Sequence, residues 1–377
     1  MRFFTAIVSL ALVFPVLAVP SRLQTVQTFD GETTGKYIVK LKEGVSHSGF
    51  SNGVDGITDS WPEFHSFAAV LSEDALNELR ASEDIEYIAE DGIMNIFYTQ
   101  TDAPWGLARI IQPRQVGSAP YTYTWDDPAG AGVDVYVVDT GIYVNHPQFG
   151  GRARWGATYG NYANADGNGH GTHCAGTIGS MSYGVARNVS LIAVKVLSDA
   201  GSGSVSDIVN GLNYVLTSAR ASGRPSIVSM SLGGGASSPL DNAVITLTLG
   251  GVHVAVAAGN DGTNAQNTSP ARAPSAITVG AIDITDSRPS WSNFGAVVDI
   301  FAPGVNVLST WIGSTTATNT ISGTSMATPH VAGTLAYLIS ALGNDSPAAW
   351  EKKLLDRAVR GTIIGIPSGT VNAILQR

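Results

Sequence analysis

The segment Gly323-Thr-Ser325-Met-Ala-Thr-Pro329-His-Val-Ala-Gly333 leads from small polar residues into the apolar run Leu335-Ala-Tyr-Leu-Ile-Ser-Ala-Leu342, which Gly343 ends. An apolar run of this length, closed by glycine, predicts a buried helix. We expect Pro329 in its first turn, where a missing N–H costs nothing. Ser325 then stands at a helix N-terminus, where backbone donors and the helix dipole favour developing negative charge. An N-cap role is the common alternative for such a serine.

Apolar segments of strand and helix length alternate through the rest of the chain. Strands are predicted at residues 133–138, 191–197, 227–232, 252–258, 277–279 and 297–301, and helices at 206–219, 240–249, 324–342 and 348–359. Strands that are apolar throughout are buried on both faces. The pattern predicts an α/β fold, with a doubly wound, mainly parallel sheet covered by helices on both sides. Functional residues of such sheets follow the carboxyl ends of strands.

The composition excludes some classes of function. The 377 residues are 44% hydrophobic and 14% charged, with 43 glycines, as in a compact enzyme rather than a disordered chain. Residues 1–97 hold 6 basic and 14 acidic side chains, whereas the remainder holds 15 and 16. Neither part has the basic stripe of a nucleic-acid binder, so we expect no nucleic-acid partner.

The N-terminus predicts secretion. Residues 1–18 combine a basic start, an apolar centre and a small final residue, which is typical of a signal peptide. The alternative is a membrane anchor, but Pro15 interrupts a run already shorter than the roughly 20 residues of a span. We therefore expect an extracellular protein without a membrane segment. Cys174 is the only cysteine, so no disulfide can form within the chain. Possible glycosylation sites are Asn188, Asn267 and Asn344.

Residues 36–97 predict a small α+β module. Strands are expected at 37–42, 85–90 and 93–97, and a helix is expected to begin after the N-cap residue Ser72. About sixty residues can form only a marginal core. We therefore expect this module to depend on the larger domain.

Four polar residues follow apolar segments of the predicted sheet or begin a helix. Asp139 ends one strand, His170 lies in the glycine-rich segment 167–176, Asn260 follows another strand, and Ser325 begins the buried helix. A serine nucleophile, a histidine base, an aspartate that orients it and an amide donor are the groups that acyl transfer needs.

The chain order Asp139, His170, Ser325 and the segments G-H-G-T-H-C-A-G (169–176) and G-T-S-M-A-T-P-H-V-A-G (323–333) resemble the subtilisin-like serine proteases, or subtilases. Within them, the chain is most similar to fungal proteinase K-like enzymes with an inhibitor-type propeptide. The resemblance implies a serine endopeptidase with Ser325 as nucleophile and His170 as general base and later acid. Asp139 would orient the imidazole, and the Asn260 side chain would bind the oxyanion with the Ser325 N–H.

The resemblance also implies how substrates bind. A peptide would lie as an added strand between two segments, with further contacts where a third strand ends; the expected residues are Gly201, Ser202, Gly203, Ser231, Leu232, Gly233, Ala258 and Gly259. The pocket walls at 231–233 and 258–260 carry no charge. We therefore expect broad specificity with a preference for apolar or aromatic residues just before the cleaved bond.

Further expectations concern metal binding and processing. The resemblance implies one structural Ca²⁺ bound by the Asp299 carboxylate and the carbonyls of Pro274 and Ala276. A second calcium site stays open, because Thr362 and Pro113 stand where its ligands would be. The expected division is a signal peptide at 1–18, a propeptide at 19–97 and a catalytic domain at 98–377. The propeptide would help folding and inhibit the enzyme, and the precursor, a monomer, would cleave itself after Phe97.

Several alternatives accompany these assignments. His173 competes with His170 as the base, and the two together could suggest zinc, although a third ligand is lacking. Cys174 is expected to be a small buried residue rather than a nucleophile, and His330 a packed helix residue. Other functions are an α/β-hydrolase esterase, whose G-x-S-x-G motif is missing around Ser325, a non-catalytic scaffold, and a stable complex with a retained propeptide.

Overall fold

The computed structural model describes residues 23–29, 31, 33–94 and 97–377. The expected signal peptide at 1–18 lies outside the described residues. The chain forms two compact units, Met1–Met94 and Asn95–Arg377. Among the described residues, no helix is long and apolar enough to cross a membrane.

In its described residues, the first unit is a four-stranded antiparallel sheet with two α-helices. Its sheet order is β2-β3-β1-β4, and its elements are β1 (Thr33–Leu41), α1 (His47–Ser51), β2 (Ile57–Trp61), β3 (Ser66–Ala69), α2 (Glu73–Ala81) and β4 (Ile85–Gly92). Helix α2 begins as predicted, since the Ser72 hydroxyl accepts from the Ala75 N–H at 3.2 Å. The expected strand at 93–97 is wrong for Ile93 and Met94, which follow β4 and are exposed; residues 95 and 96 lie outside the described part.

The second unit contains the larger α/β assembly. Its helices are α3 (Trp105–Arg109), α4 (His170–Gly179), α5 (Val205–Ser222), α6 (Ser238–Leu249), α7 (Thr324–Leu342) and α8 (Pro347–Arg357). Its strands are β5 (Phe97–Ala103), β6 (Tyr121–Asp126), β7 (Asp134–Asp139), β8 (Ala153–Thr158), β9 (Ser190–Lys195), β10 (Ser226–Met230), β11 (Gly234–Gly235), β12 (His253–Ala257), β13 (Thr268–Ser269), β14 (Ile277–Ile282), β15 (Ile300–Pro303), β16 (Val307–Thr310), β17 (Thr318–Ile321), β18 (Val359–Arg360) and β19 (Ala373–Ile374).

One mainly parallel sheet organises this unit. Across the described residues its order is β18-β19-β15-β14-β12-β10-β7-β9-β8, and every neighbouring pair except β18–β19 is parallel. The predicted fold class is confirmed. Strand β8 was not predicted, because its sequence Ala-Arg-Trp-Gly-Ala-Thr has no continuous apolar run.

Helices cover both faces of this sheet. Alternate residues of β7 illustrate the arrangement: Val135 and Val137 pack in the cluster that contains α4 and α7, whereas Tyr136 and Val138 pack in the cluster with α5 and α6. Burial of each such side chain contributes about 1.5–3 kcal/mol relative to exposure. The sheet is therefore a rigid support for residues at its edges.

The strand order also locates a crevice. After β7 the chain adds β8 and β9 on one side of β7, then crosses to add β10, β12, β14 and β15 on the other side. Ligands of open α/β sheets bind at such a reversal, beyond the carboxyl ends of the strands. Here the reversal lies between β7 and β10.

Candidate active site

Asp139 and His170 meet at this reversal. Asp139 is the last residue of β7, and His170 is the first residue of α4. The His170 Nδ1–H donates to both Asp139 oxygens, at 2.8 and 3.0 Å. Asp139 is fully buried, whereas the His170 side chain is 25% exposed. This bond fixes the imidazole tautomer and leaves Nε2 able to accept a proton.

The electrostatics favour a base that becomes charged. Burial by itself would lower the pKa of His170, but the Asp139 carboxylate, with a smaller effect of Asp166, outweighs it and raises the pKa above 6.5. Imidazolium is thus stabilised at the moment when the ring accepts a proton.

Ser325 is the second residue of α7, and its carbonyl has unusual partners. Pro329 is not in the first turn, as expected, but is the sixth helical residue, because the helix begins at Thr324 before the apolar run. Proline has no N–H, so the helical bond from residue 329 to the Ser325 carbonyl is missing. That carbonyl accepts instead from the Ser231 hydroxyl at 2.8 Å and the Cys174 thiol at 3.5 Å.

The Ser325 hydroxyl is held in the same region. It donates to the Ser231 carbonyl oxygen at 3.2 Å, and in the described part of the chain no hydrogen bond joins it to His170. Bonds between nucleophile and base are often long in substrate-free enzymes and form fully only in the complex.

Asn260 lies beside the start of α7. Its Oδ1 accepts from the Thr324 N–H at 2.8 Å and from the Thr324 hydroxyl at 2.9 Å. The amide oxygen is therefore occupied, which leaves the NH₂ group to act as donor. The Met326 N–H bonds to Gly323, whereas the Ser325 N–H has no such partner among the described residues. Two donors are thus available near the hydroxyl of Ser325.

These groups line one cleft of about 610 Å³. His170, Ser325 and Asn260 line it together with most of the expected substrate-binding residues, namely Gly201, Ser202, Gly203, Ser231, Leu232, Gly233 and Gly259. Asp139 lies buried behind His170 and does not line the cleft.

Of the expected substrate-binding residues, Ala258 does not line the cleft. Its side chain is buried in a cluster with Phe301, its N–H donates to Val279, and its carbonyl accepts from Asn293. Ala258 was expected in the wall from the resemblance, but in the structure Val279 and Asn293 pair with its backbone groups.

Several residues that line the cleft were not predicted from the sequence. Thr268 and Ser269 reach the cleft because β13 pairs with β11, and Leu240 reaches it from α6. Asp261 brings a carboxylate to the wall next to Asn260. Two-residue strand pairings between distant segments give no periodic signal in the sequence. Asp261, in contrast, could have been predicted because it directly follows the expected site residue Asn260.

The competing residues lie elsewhere or are inert. His173 is fully buried, its Nε2 contacts the Val307 carbonyl at 3.0 Å, and burial lowers its pKa to about 4. His330 contacts the Met326 carbonyl, and burial lowers its pKa similarly to about 4. Cys174 lies close to Asp139 and His170, but burial raises the pKa of its thiol well above its ordinary value. A neutral thiol is a poor metal ligand and a poor nucleophile.

The residues expected to bind calcium lie at the opposite edge of the sheet. Asp299 directly precedes β15, and Pro274 and Ala276 precede β14. The Thr278 N–H donates to Asp299 Oδ2 at 2.7 Å and the Asp299 N–H donates to the Thr278 carbonyl at 3.0 Å, which places Asp299 beside the 274–276 turn. Burial raises the pKa of Asp299 to about 7. Within the described residues, Asp299 is not among the carboxylates in ion pairs.

Comparison with known proteins defines the class. The sequence profile of the Subtilase family matches residues 130–372, a span that contains the whole cleft edge from Asp139 to Ser325. The chain belongs to the subtilase family and is a serine endopeptidase.

Individual relatives agree along most of the chain. It is 50% identical to a cuticle-degrading protease of Metarhizium anisopliae over 346 residues, 89% of this chain and 88% of that one. It is 48% identical to Proteinase R of Parengyodontium album over 347 residues, 90% of this chain and 88% of that one. The crystal structure of a cold adapted subtilisin-like serine proteinase covers 73% of this chain and 98% of its own, with a TM-score of 0.67 and 43% identity.

Proposed function

We propose that this chain is the precursor of a secreted endopeptidase of broad specificity, which uses Ser325, His170, Asp139 and Asn260 for catalysis. The observation that carries the proposal is the buried Asp139–His170 hydrogen bond at the same cleft as Ser325 and Asn260. The protein would act on polypeptides outside the cell, as the signal-like residues 1–18 suggest.

The residues support an acyl-transfer cycle. The Ser325 hydroxyl leaves the Ser231 carbonyl and attacks the peptide carbonyl carbon, while its proton passes to His170 Nε2. Asp139 stabilises the imidazolium through Nδ1. The oxyanion accepts hydrogen bonds from the Ser325 N–H and the Asn260 amide. His170 then gives its proton to the leaving amine, and water, deprotonated by the same imidazole, hydrolyses the acyl-enzyme.

The cleft supports a preference for apolar or aromatic side chains before the cleaved bond. Its walls are mainly glycine, serine and leucine residues, including Gly233, Leu232 and Leu240, and Asp261 is exposed rather than buried in the wall. A peptide library tests this: cleavage should follow Phe, Tyr or Leu. Predominant cleavage after Lys or Arg would contradict the proposal.

The proposed precursor is divided into a signal peptide at 1–18, a propeptide at 19–97 and a catalytic domain at 98–377. The compact units separate at Met94, and β5 pairs Tyr98 with Trp125 of β6, so the proposed mature N-terminus belongs to the second unit. The propeptide would assist folding and inhibit the enzyme until it is removed.

N-terminal sequencing of the secreted wild type, Ser325→Ala and Ser222→Ala tests self-processing. Wild type and Ser222→Ala, which changes a hydroxyl at the end of α5, should begin near Tyr98. The Ser325→Ala variant should keep its propeptide. Identical cleavage of all three chains would show that another protease matures the precursor.

We propose one structural Ca²⁺ at Asp299, Pro274 and Ala276. A carboxylate and backbone carbonyls are the oxygen ligands that Ca²⁺ prefers. The partly buried Asp299 carboxylate, which accepts a backbone N–H and forms no ion pair among the described residues, fits a cation. The ion would neutralise this carboxylate and join the segments that precede β14 and β15.

The three expected glycosylation sites remain part of this proposal. Asn188, Asn267 and Asn344 are exposed, as attachment requires. The Asn188 amide donates to Asp127, and Asn344 Oδ1 contacts His253, so Asn267 has the freest side chain of the three. Peptide mass mapping of the secreted protein would detect glycan at each position.

A further inference from the structure

We propose that Asp166 is a positioning residue of the active site, which ties the segment carrying Asp139 to the segment carrying His170 and favours the imidazolium of His170 through its fixed negative charge. This inference rests on the proposed role of His170 as the general base.

The Asp166 carboxylate is buried, with 8% exposure, and accepts five hydrogen bonds. Its Oδ1 accepts from the Thr140 hydroxyl at 2.9 Å, the Asn168 N–H at 3.1 Å and the Gly169 N–H at 2.9 Å. Its Oδ2 accepts from the Thr172 hydroxyl at 2.6 Å and the Thr172 N–H at 3.0 Å. Both oxygens act only as acceptors, as those of an ionised carboxylate do.

These five donors lie on both sides of the catalytic pair. Thr140 directly follows Asp139, and its hydroxyl also accepts from the Gly171 N–H at 3.0 Å. Asn168 and Gly169 directly precede His170, and Thr172 lies in the first turn of α4. One side chain therefore fixes the end of β7 to the start of α4. Both ends of the Asp139–His170 bond depend on that connection.

The charge of Asp166 has no cationic partner in an ion pair among the described residues. The titratable groups around His170 are Asp139 on β7, Asp166 on the preceding loop, and His173 and Cys174 on α4 itself; His330 of α7 lies beyond His173. His173 and Cys174 are buried in their neutral forms, because burial lowers the pKa of the first and raises that of the second. Asp139 and Asp166 are thus the charges that act on the imidazole, and both raise its pKa.

Asp199, which follows β9, provides a matched comparison because its carboxylate also bonds to the loop that carries Asp166. It accepts from the Gly167 N–H at 3.3 Å, but it is 61% exposed and pairs with Lys195 at 2.9 Å. Its charge is therefore screened by water and by a cation. Loss of the Asp199 charge should affect His170 less than loss of the Asp166 charge.

The test compares Asp166→Asn and Asp199→Asn by the pH dependence of kcat/KM. An amide at residue 166 keeps one acceptor oxygen and turns its NH₂ toward donors, so at least two of the five bonds are lost. We expect kcat/KM to fall about tenfold, because the catalytic pair is misplaced. We also expect the midpoint of the rising pH limb to move down by about half a unit, because a nearby negative charge is removed. Asp199→Asn should keep the wild-type midpoint.

A second pair of variants separates the effect of the hydrogen bonds made by Asp166 from the effect of its negative charge. Thr172→Val removes a hydroxyl that bonds to Asp166 but retains the carboxylate, whereas Thr172→Ser retains both. The valine variant should lose activity with a smaller midpoint shift than Asp166→Asn, and the serine variant should recover most of the activity. Equal activity of these two variants would overturn the tie, even if Asp166→Asn failed to fold.

NMR titration of the His170 imidazole in a Ser325→Ala background checks the charge directly. A lower pKa in the added presence of Asp166→Asn supports the inference, and an unchanged pKa overturns it. The activity of His170→Ala distinguishes a failure of the proposed function from a failure of the proposed role of Asp166. If His170→Ala were fully active, the proposed function itself would fail; if it were inactive while Asp166→Asn matched the wild type, only the role of Asp166 would fail.

Discussion

The two edges of the main sheet place an aspartate in different surroundings. At the carboxyl edge, Asp139 is fully buried and bonds to the His170 ring. At the amino edge, Asp299 is partly buried, accepts from the Thr278 N–H and has a pKa raised to about 7. The first carboxylate has a protein partner that can become positive, whereas the second has none among the described residues.

This difference in surroundings predicts that one edge of the sheet affects the reaction rate and the other affects the stability of the fold. The carboxyl edge receives the N-termini of α4 and α7, whose unpaired N–H groups favour anions, so a charge that develops there is stabilised by the fold. At the amino edge, Asp299 forms no ion pair in the described part of the chain, and an external cation would supply the positive charge. Changes at Asp139 should therefore alter rates, and changes at Asp299 should alter the free energy of unfolding.

The largest effect is expected from Asp139→Asn. The amide would donate to His170 Nδ1 and hold the wrong tautomer, so kcat should fall about 10⁴-fold with little change in KM. Hydrolysis of a Phe-containing peptide, with active sites counted by titration, measures it, and Asp356→Asn on α8 is the matched control. A loss below tenfold in a folded Asp139→Asn protein would contradict a rate-determining role of the carboxyl edge.

A smaller loss is expected when the oxyanion donor is removed. Asn260→Ala should lower kcat about 10²- to 10³-fold, with KM nearly unchanged, because the amide bond forms fully only with the transition state. Thr324→Val should lose about tenfold, because one of the two bonds that orient the Asn260 amide disappears. Thr324→Ser, which keeps the hydroxyl, should stay close to wild type. An effect of Asn260→Ala on KM alone would contradict this role.

At the amino edge, calcium removal should lower stability rather than intrinsic rate. With Ca²⁺ present, Asp299→Asn should unfold at lower temperature than wild type, while kcat measured well below that temperature stays within twofold. Thermal unfolding with and without a chelator measures the difference. If the chelator shifted wild type and Asp299→Asn equally, the ion would bind elsewhere.

The pH dependence of stability in the calcium-free protein tests the contribution of Asp299 to the free energy of unfolding. In the folded chain the pKa of Asp299 is about 7, against 3.8 for the ordinary group, so between these values the folded state keeps a proton that the unfolded state has released. The free energy of unfolding contributed by this group is therefore fully present below pH 3.8 and lost as pH rises through 7. In chelator at pH 8, Asp299→Asn should be more stable than wild type. With Ca²⁺ the order should reverse.

The smallest effect is expected from Ser231→Ala. Loss of the hydroxyl bond to the Ser325 carbonyl should cost about 1 kcal/mol, or about fivefold in kcat/KM. In a Pro329→Ala background, residue 329 regains an N–H for that carbonyl, so Ser231→Ala should cost less. A double-mutant cycle measures the coupling. Full additivity would show that the Ser231 hydroxyl does not act through this carbonyl.

The sequence was sufficient for features that depend on local pattern. The buried helix was predicted with the bounds Thr324–Leu342, because its apolar run and its glycine boundaries are contiguous, but the expectation that Pro329 lies in its first turn was wrong. The parallel strands followed from continuous β-branched runs, and Asp139, Asn260 and Ser325 followed from strand and helix ends. Their convergence on one cleft could be anticipated because such ends meet at one edge of a sheet.

Features that depend on contacts between distant residues were not predictable in this way. The network of Asp166 joins residues 140 and 172, and its donors include backbone N–H groups that leave no mark in the sequence. Strand β8 lies at the sheet edge and needs no continuous apolar run. The resemblance placed Ala258 in the cleft wall, but its N–H donates to the Val279 carbonyl and its own carbonyl accepts from Asn293.

The proline at position 329 has a consequence for local motion. Because Pro329 has no N–H, the Ser325 carbonyl accepts from the Ser231 hydroxyl. The Ser325 hydroxyl in turn donates to the Ser231 carbonyl, so two reciprocal hydrogen bonds, here called the clasp, join these residues. The clasp joins the end of β10 to the start of α7. Any local opening of the helix start must break both bonds together, so the amide protons around Ser325 and those at the end of β10 should exchange as a single cooperative unit.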